Sequence, residues 1–500
     1  MMKRLFSSLS IVLTICLLIP YAASAEGHLK IALTGSLNTL DPAKTKTGDE
    51  YLYLVTVFNG LTKMSRNMEV QPDLALKWEF SPDLKEWTFY LREGVKFHHG
   101  REMTAEDVAF TINRILDKET GSRARVNFLI VDDIEVVDKY TIRFKLNTPY
   151  SAFPDVFCTR QARIVPSDAA DKLATAPIGT GPFKFKSYTP GDRVELVKNE
   201  DYFEAGKPKL DAVSLLVMPE SATKVTALET GEIHVVWKLP IESVDRLKQN
   251  PDIIVDEVST SSWDGIILNN SKKPFNDLRV RQALNLAIDK KELTEIVLFG
   301  HGSPTHSPIP PAHPFFNDEI PFGKDIAKAK QLLAEAGYPK GFEITLISPE
   351  GRPVRDRLAV ATRELLKPLG IKVNIQRLPW DKFISDAEGK ADFYIDGFFS
   401  RPTLDTSTYP WYHSSGSWNK GLWHYSNEKV DAVLEKARQA TNEEEQKKAY
   451  LEFQKLVAME YPPSIIPYNV NHIDGYRKEV QNLHSSPMMY FDLSDVEIVQ

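Results

Sequence analysis

The chain has 500 residues, 42% of them hydrophobic, 26% charged and 10% aromatic, with two cysteines, a profile that excludes a disordered, collagen-like or disulfide-stapled protein. At roughly 150 residues per domain the length corresponds to about three domains and supports more than one core. The net charge of −7 gives the long-range field no attraction for nucleic acid or an anionic membrane, so any basic site is local.

Residues 1–25 obey different rules from the rest. Met1-Met2-Lys3-Arg4 is a basic start, Leu5 to Ile19 is mostly apolar, Pro20 interrupts it, and Ala23-Ser24-Ala25 supplies the small residues a signal peptidase requires. The segment is expected to be a secretory signal peptide cleaved after Ala25. Ile15 is too large to precede a lipid-modified Cys16. Losing Lys3 and Arg4 deepens the net charge from −7 to −9 and leaves Cys158 as a single thiol that cannot close an internal disulfide. No later apolar run approaches the roughly 20 residues of a membrane span. The expectation is an exported, soluble, monomeric, periplasmic protein.

Lys30 to Leu33 reads as a first strand, followed by a polar loop over 34–47. Trp87 to Arg92 and Thr141 to Leu146 alternate with period two and are expected as half-buried strands. Thr104, with Asp107 three residues on, starts a helix whose apolar face is Val108, Ile112 and Ile115. Gly179-Thr180-Gly181-Pro182 is a turn before a hairpin of Phe183 to Ser187 and Arg193 to Val197. A long amphipathic helix is expected after Asn276-Asp277, carrying Val280, Leu284, Ile288 and Ile296 through Asp289. After a proline-rich loop, 304–321, come a helix over 326–336 and a strand over 342–347. Segments 358–366, 371–376, 380–387 and 393–395 then alternate helix and strand, the grammar of βαβ units. A charged helical hairpin near 430–459 precedes a strand at 465–468.

Catalytic constellations are missing. There is no Gly-x-Ser-x-Gly elbow and no His-Glu-x-x-His. Cys158 reads as a small buried hydrophobe. His98 and His99 point to opposite faces of a strand, and His301, His306 and His313 are irregularly spaced in a loop. No cofactor and no metal is called for, and the chain reads as a non-enzyme; a secreted hydrolase remains the alternative of a different class.

Several blocks have a distinctive order: Leu74-Ala75-Leu76-Lys77-Trp78-Glu79; Trp87 through Gly100; Thr104-Ala105-Glu106-Asp107-Val108; Gly179 to Phe183; Pro274 to Leu284; Ala329 to Gly337; and Tyr425-Ser426-Asn427 before Val430-Asp431. Together they resemble the extracellular solute-binding proteins of peptide and nickel-type ABC importers, over nearly all the mature chain. The resemblance implies an α/β, two-lobed periplasmic binding protein fold with an extra subdomain in the first lobe. Lobe 1 would take 26–60, 178–265 and 471–500, its subdomain 61–177, and lobe 2 266–470, with a crossing between lobes near 269–277. It further implies capture of a peptide or peptide-like solute between the lobes and delivery to permease subunits with their ATPases. Relatives on this fold also carry opines, sugar derivatives, oligosaccharides and metal complexes. Trp78, Trp87 and Phe97 belong to the scaffold.

In peptide-binding relatives the loop after the strand corresponding to 392–395 carries an aspartate that pairs with the peptide's amino terminus. By alignment Arg401 stands in its place, and a guanidinium repels an ammonium but grips a carboxylate or phosphate through parallel hydrogen bonds. Two further regions line the cleft in relatives; here they contain Lys46, Thr47 and Gly48, and Trp237 and Lys238. With Arg401 the lysines would form a local cationic site. Trp237 and Trp263 offer flat apolar walls, and Asp405 and Asn419 are candidates to orient the arginine or the solute. The expected solute is therefore an anionic one, such as a peptide carboxylate, a sugar acid or a phosphate ester; His413 and His424 would serve a metal chelate instead.

Overall fold

A computed structural model describes residues 27–45, 48–66 and 68–499. The signal-peptide reading, Lys46 and Thr47 fall outside these residues. Among the described residues no helix is long and apolar enough to cross a membrane.

Two sheets organise two lobes. In the first, seven strands run in the order Ile253–Val258, His472–Arg477, Val235–Val236, His28–Leu33, Ala212–Val217, Arg193–Lys198 and Phe183–Thr189. Its central strand, His28–Leu33, is parallel to both neighbours and its residues Leu29, Ile31 and Leu33 are buried. In the second, six strands run in the order Gly302–Pro304, Ile465–Val470, Trp263–Leu268, Phe393–Phe398, Glu343–Pro349 and Lys372–Leu378. The last three are parallel and helix Pro353–Leu366 connects Glu343–Pro349 to Lys372–Leu378, the expected βαβ unit.

The chain passes between sheets twice, at 259–262 and at residue 471. The first passage comes before the expected 269–277, because Trp263–Leu268 already pairs with Phe393–Phe398 in the second sheet. The crossings are tied together: Val470 N–H donates to Ser262 O at 2.8 Å and Thr260 Oγ1 to Val470 O at 2.7 Å.

A separate antiparallel sheet, Ala75–Phe80, Glu86–Leu91, Thr141–Leu146 and Val131–Asp138, forms the subdomain. Strand alternation buries Trp87, Phe89 and Leu91 with Ile142 and Phe144, against Val108, Ile112 and Ile115 of helix Ala105–Leu116. Thr104 and Asp107 form the expected capping box. Cys158 is buried, burial pushes its thiol up to about 12, and its sulfur lies 3.3 Å from Thr62 Oγ1.

The long helix expected after Asp277 is two helices, Leu278–Leu286 and Lys290–Leu298. Asp289 is extended and its carboxylate accepts from Glu292 N–H at 3.0 Å; an aspartate that can cap a new helix competes with continuation of the old one. The helical hairpin is Glu428–Gln439 and Glu443–Lys455, with Glu443, Glu444 and Glu445 in the first turn of the second helix, where the helix dipole favours them.

Asp107 holds more than its own helix. Its buried carboxylate accepts from Arg101 Nη2 at 2.6 Å, Ser167 N at 3.0 Å and Thr104 N at 3.0 Å. Burial alone would raise its pKa, but these donors hold it below the ordinary value. A depressed carboxylate stabilises above the unfolded-state pKa and the contribution is lost as acid protonates it. Asp107→Ala is expected to lower stability by about 2–3 kcal/mol at pH 7 and by less at pH 3, measured by urea unfolding.

Candidate functional site

Strand Phe393–Phe398 ends at the gap between the lobes, and the chain then turns through Phe399, Ser400 and Arg401 before Thr403 caps helix Leu404–Tyr412. The turn is fixed to the first crossing. Ser400 N–H donates to Ser262 Oγ at 2.9 Å, Arg401 N–H to Ser261 Oγ at 3.1 Å, and the Ser261 and Ser400 hydroxyls are 2.9 Å apart. Arg401 thus projects from lobe 2 on a rigid support.

Lobe 1 meets this turn with Gly48, Trp237 and Lys238. The Lys238 ammonium lies 4.4 Å from the ring centre of Trp237 and 4.4 Å from that of Phe399. A side chain at Gly48 would put its Cβ 3.0 Å from that ammonium and 3.4 Å from the indole, so any larger residue there would crowd the end of the lysine. Lys238 has a positive φ of 57°, a strained conformation for a lysine held by its N–H donating to Asp474 Oδ1 at 2.9 Å. Trp237 is buried and its indole N–H donates to Met489 O at 3.1 Å.

Two arginines that the sequence reading did not single out complete the cluster. Arg160 stacks 3.3 Å over Tyr51 and donates to Ser400 O at 3.4 Å. Arg352 lies 4.6 Å over Trp380. Burial lowers the pKa of Lys238 to about 8, opposed by Asp49 and assisted by Arg352 and Arg160. Burial and Arg123 lower Arg401 to about 10. Burial lowers Arg160, with Arg401 adding to it, and burial followed by Arg355 lowers Arg352. Arg160, Lys238, Arg352 and Arg401 therefore form one electropositive region drawn from both lobes; none of the four makes a direct ion pair among the described residues, while Glu50 acts on Arg160 and Asp49 on Lys238 and Arg352 from farther off.

Arg355 supports this region from below. It donates to Asp264 Oδ1 at 2.9 Å, Asp396 Oδ1 at 2.9 Å and Gly397 O at 2.7 Å, so it binds the end of the strand that carries Phe399 and Arg401. A signal for Arg352 was available: it follows Glu343–Pro349 and Arg401 follows Phe393–Phe398, neighbouring parallel strands, and solutes bind outside the carboxyl ends of such strands. Arg160 carried no comparable signal.

Three candidates are engaged by other parts of the protein. Trp263 alternates into the lobe 2 interior, 5.3 Å from Phe398 and 5.5 Å from Trp411 between ring centres. Asp405 accepts from Arg438 Nη2 at 3.0 Å and from the Tyr150 hydroxyl at 2.8 Å, so its charge is consumed in fastening lobe 2 to the subdomain. Asn419 is fully buried and staples its own loop, donating to His413 O and Tyr425 O, both at 2.9 Å, and accepting from Tyr425 N–H at 2.8 Å. His413 stacks on Tyr409 with ring centres 4.3 Å apart, while His424 Nε2 lies 3.2 Å from Gly389 O; the two are held by separate partners. His301, His306 and His313 are likewise separate, facing Glu257, Phe322 and the Phe315 amide.

A family model described as bacterial extracellular solute-binding proteins, family 5 Middle, matches residues 69–420. The glutathione-binding protein GsiB of Salmonella paratyphi A is 27% identical over 494 residues, 96% of each chain. GsiB of Pectobacterium atrosepticum is 27% identical over 485 residues, 94% of each chain. Among solved structures, the PBP AgaA from A. tumefaciens R10 in complex with agropinic acid gives a TM-score of 0.83 at 27% identity, covering 95% of this chain and 99% of that one. The periplasmic binding protein DppA from Helicobacter pylori in complex with peptide STSA gives 0.82 at 28% identity, covering 95% and 98%.

Removing Arg355 would leave Asp264 and Asp396 buried without their counter-charge. Arg355→Ala is expected to cost about 3–5 kcal/mol in urea unfolding. Arg355→Lys should recover only part of it, because one ammonium cannot reach both carboxylates and Gly397 O in the planar fork geometry.

Proposed function

The chain belongs to family 5 of the bacterial extracellular solute-binding proteins and is the solute-binding component of an ABC importer, and we propose that its solute is a peptide or peptide-like molecule held by an anionic group at Arg160, Lys238, Arg352 and Arg401. The observation that carries this reading is the convergence, from both lobes, of four cations without direct ion pairs among the described residues, which Asp49 and Glu50 offset only from a distance. An anion placed among them would offset their desolvation and mutual repulsion and would form charge-assisted hydrogen bonds of about 1.5–3 kcal/mol each. Gly48, Trp237 and Phe399 form the walls of the Lys238 end; Lys46 and Thr47 belong to the same segment as Gly48.

The kinds of solute bound by relatives fit this reading. GsiB is named for glutathione, and AgaA was solved with agropinic acid; both compounds carry carboxylates. The protein acts by capture, and closure of the lobes over the solute presents a surface that permease subunits recognise and the open form lacks. It works in the periplasm after removal of residues 1–25.

Glutathione and agropinic acid are the probes for calorimetry on the mature protein. Arg401→Ala and Lys238→Met are each expected to weaken the bound probe by about tenfold or more; a change below about threefold would remove that residue from the site. Lys238 is charged below its pKa of about 8, so affinity should fall more steeply as pH rises through 8 in the wild type than in Lys238→Met, where only the titration of the probe remains. Recovery of a neutral oligosaccharide from the gently purified protein by native mass spectrometry would sink the anionic reading.

For export, N-terminal sequencing of the protein recovered from the periplasmic fraction should begin at Glu26. A chain still starting at Met1 there would refute the cleavage.

A further inference from the structure

A cavity of about 780 Å³ lies between the lobes, with Arg401 in its wall, a size within the range of small-molecule sites. The subdomain contributes Asp155 and the first crossing contributes Ser259. The Asp155 side chain sits on the short helix Phe153–Val156 and makes no hydrogen bond or ion pair with another described residue. The Ser259 hydroxyl is buried and also has no hydrogen-bond partner, whereas the Asp155 side chain is half-buried.

The charges around this cavity are unevenly matched. Asp405 is neutralised by Arg438, and Arg66 is held by Asp256 at 2.8 Å. Glu69 and Glu443 are exposed parts of the lining. What remains is an excess of carboxylates, with half-buried Asp155 as the least exposed of the unpaired ones, next to the wall that carries Arg401. Burial, with Asp405 nearby, pushes the Asp155 carboxyl up to about 7; a cation beside it would restore its ionisation.

We infer that this chamber receives the cationic end of the solute, a primary ammonium or guanidinium that pairs with Asp155 while the anionic end lies at the cationic cluster. The inference rests on the anion capture proposed above and narrows the solute to a zwitterion of the peptide or amino-acid-conjugate class. Arg401, shared by the cluster and the cavity wall, marks where one end gives way to the other. The Asp155 carboxylate thus supplies, from the subdomain, the amine recognition that an arginine at position 401 cannot.

Native mass spectrometry of the full mature protein in an equimolar mixture of four forms of S-methylglutathione tests it: free, N-acetylated, dimethyl ester, and N-acetylated dimethyl ester. The wild type should retain the free form over the N-acetylated form by about tenfold or more. Asp155→Asn should retain the two alike while keeping the preference for acid over ester. Equal retention of free and N-acetylated forms by the wild type, or a wild-type preference persisting in Asp155→Asn, would overturn the inference. Absence of the acid-over-ester preference alone would overturn the cationic cluster's role and leave the Asp155 result standing, and capture of none of the four would overturn both. Should Asp155→Asn fail to fold, Asp155→Ser takes its place in the same comparison, with the same outcomes.

Discussion

Cations taken out of water with no carboxylate in direct ion-pair contact are the constraint on which the interlobe region depends. Moving an ion into a protein interior costs several kcal/mol even after relaxation, and this chain does it with Arg160, Lys238, Arg352 and Arg401 in one region. Aromatic faces offset part of the cost: Tyr51 under Arg160, Trp237 and Phe399 around Lys238, and Trp380 under Arg352. Each such stack is worth about 0.5–2 kcal/mol, less than the desolvation it accompanies, so the empty arrangement is strained electrostatically. An anion entering it would convert that strain into attraction. Because two of the cations belong to each lobe, the conversion would be complete only with the lobes together, which is the differential affinity that closure requires.

A cluster of this kind is useful only if its members cannot relax apart. Arg355 fixes the end of strand Phe393–Phe398 through Asp264, Asp396 and Gly397, and the serines at 261, 262 and 400 fix the turn that follows. On the other side, Asp474 holds the Lys238 backbone in its left-handed conformation and also accepts from the Ser485 hydroxyl at 2.6 Å. The Tyr150, Asp405 and Arg438 contact joins the subdomain to lobe 2, and Arg357 reaches Glu242 across the lobes at 2.8 Å. These contacts join the lobes alongside those made by the cluster itself, Arg160 to Ser400 O and Lys238 against Phe399, so closure rests partly on residues that do not face the solute.

Much of the scaffold was legible because periodicity records it directly. Strands 141–146 and 183–189, the capping box at Thr104 and the βαβ units of lobe 2 follow from alternation, turn residues and caps acting locally. The one long helix that proved to be two failed because Asp289 is compatible with a helical face yet caps better. In the site, Arg401, Lys238 and Gly48 were reachable from the family resemblance. Arg160 was not, since its position against Tyr51 and Ser400 is created by contacts distant in sequence. Asp405 and Asn419 misled for the opposite reason: polar residues beside a functional loop are as readily used to hold that loop as to meet a solute, and only the partners Arg438, Tyr150, His413 and Tyr425 distinguish the two.

The overall acidity of the chain and its cationic interior are consistent once distance is considered. At physiological ionic strength charges farther apart than about 8 Å are largely screened, so the exposed carboxylates of the surface do little to the potential among Lys238, Arg352 and Arg401. Their effect is felt at the mouth of the 780 Å³ cavity, where Glu69 and Glu443 lie. A solute with an amine at one end and a carboxylate at the other would meet a negative field around Asp155 and a positive one beyond Arg401. The same two fields oppose the reversed orientation, so the charge distribution that admits such a solute also aligns it.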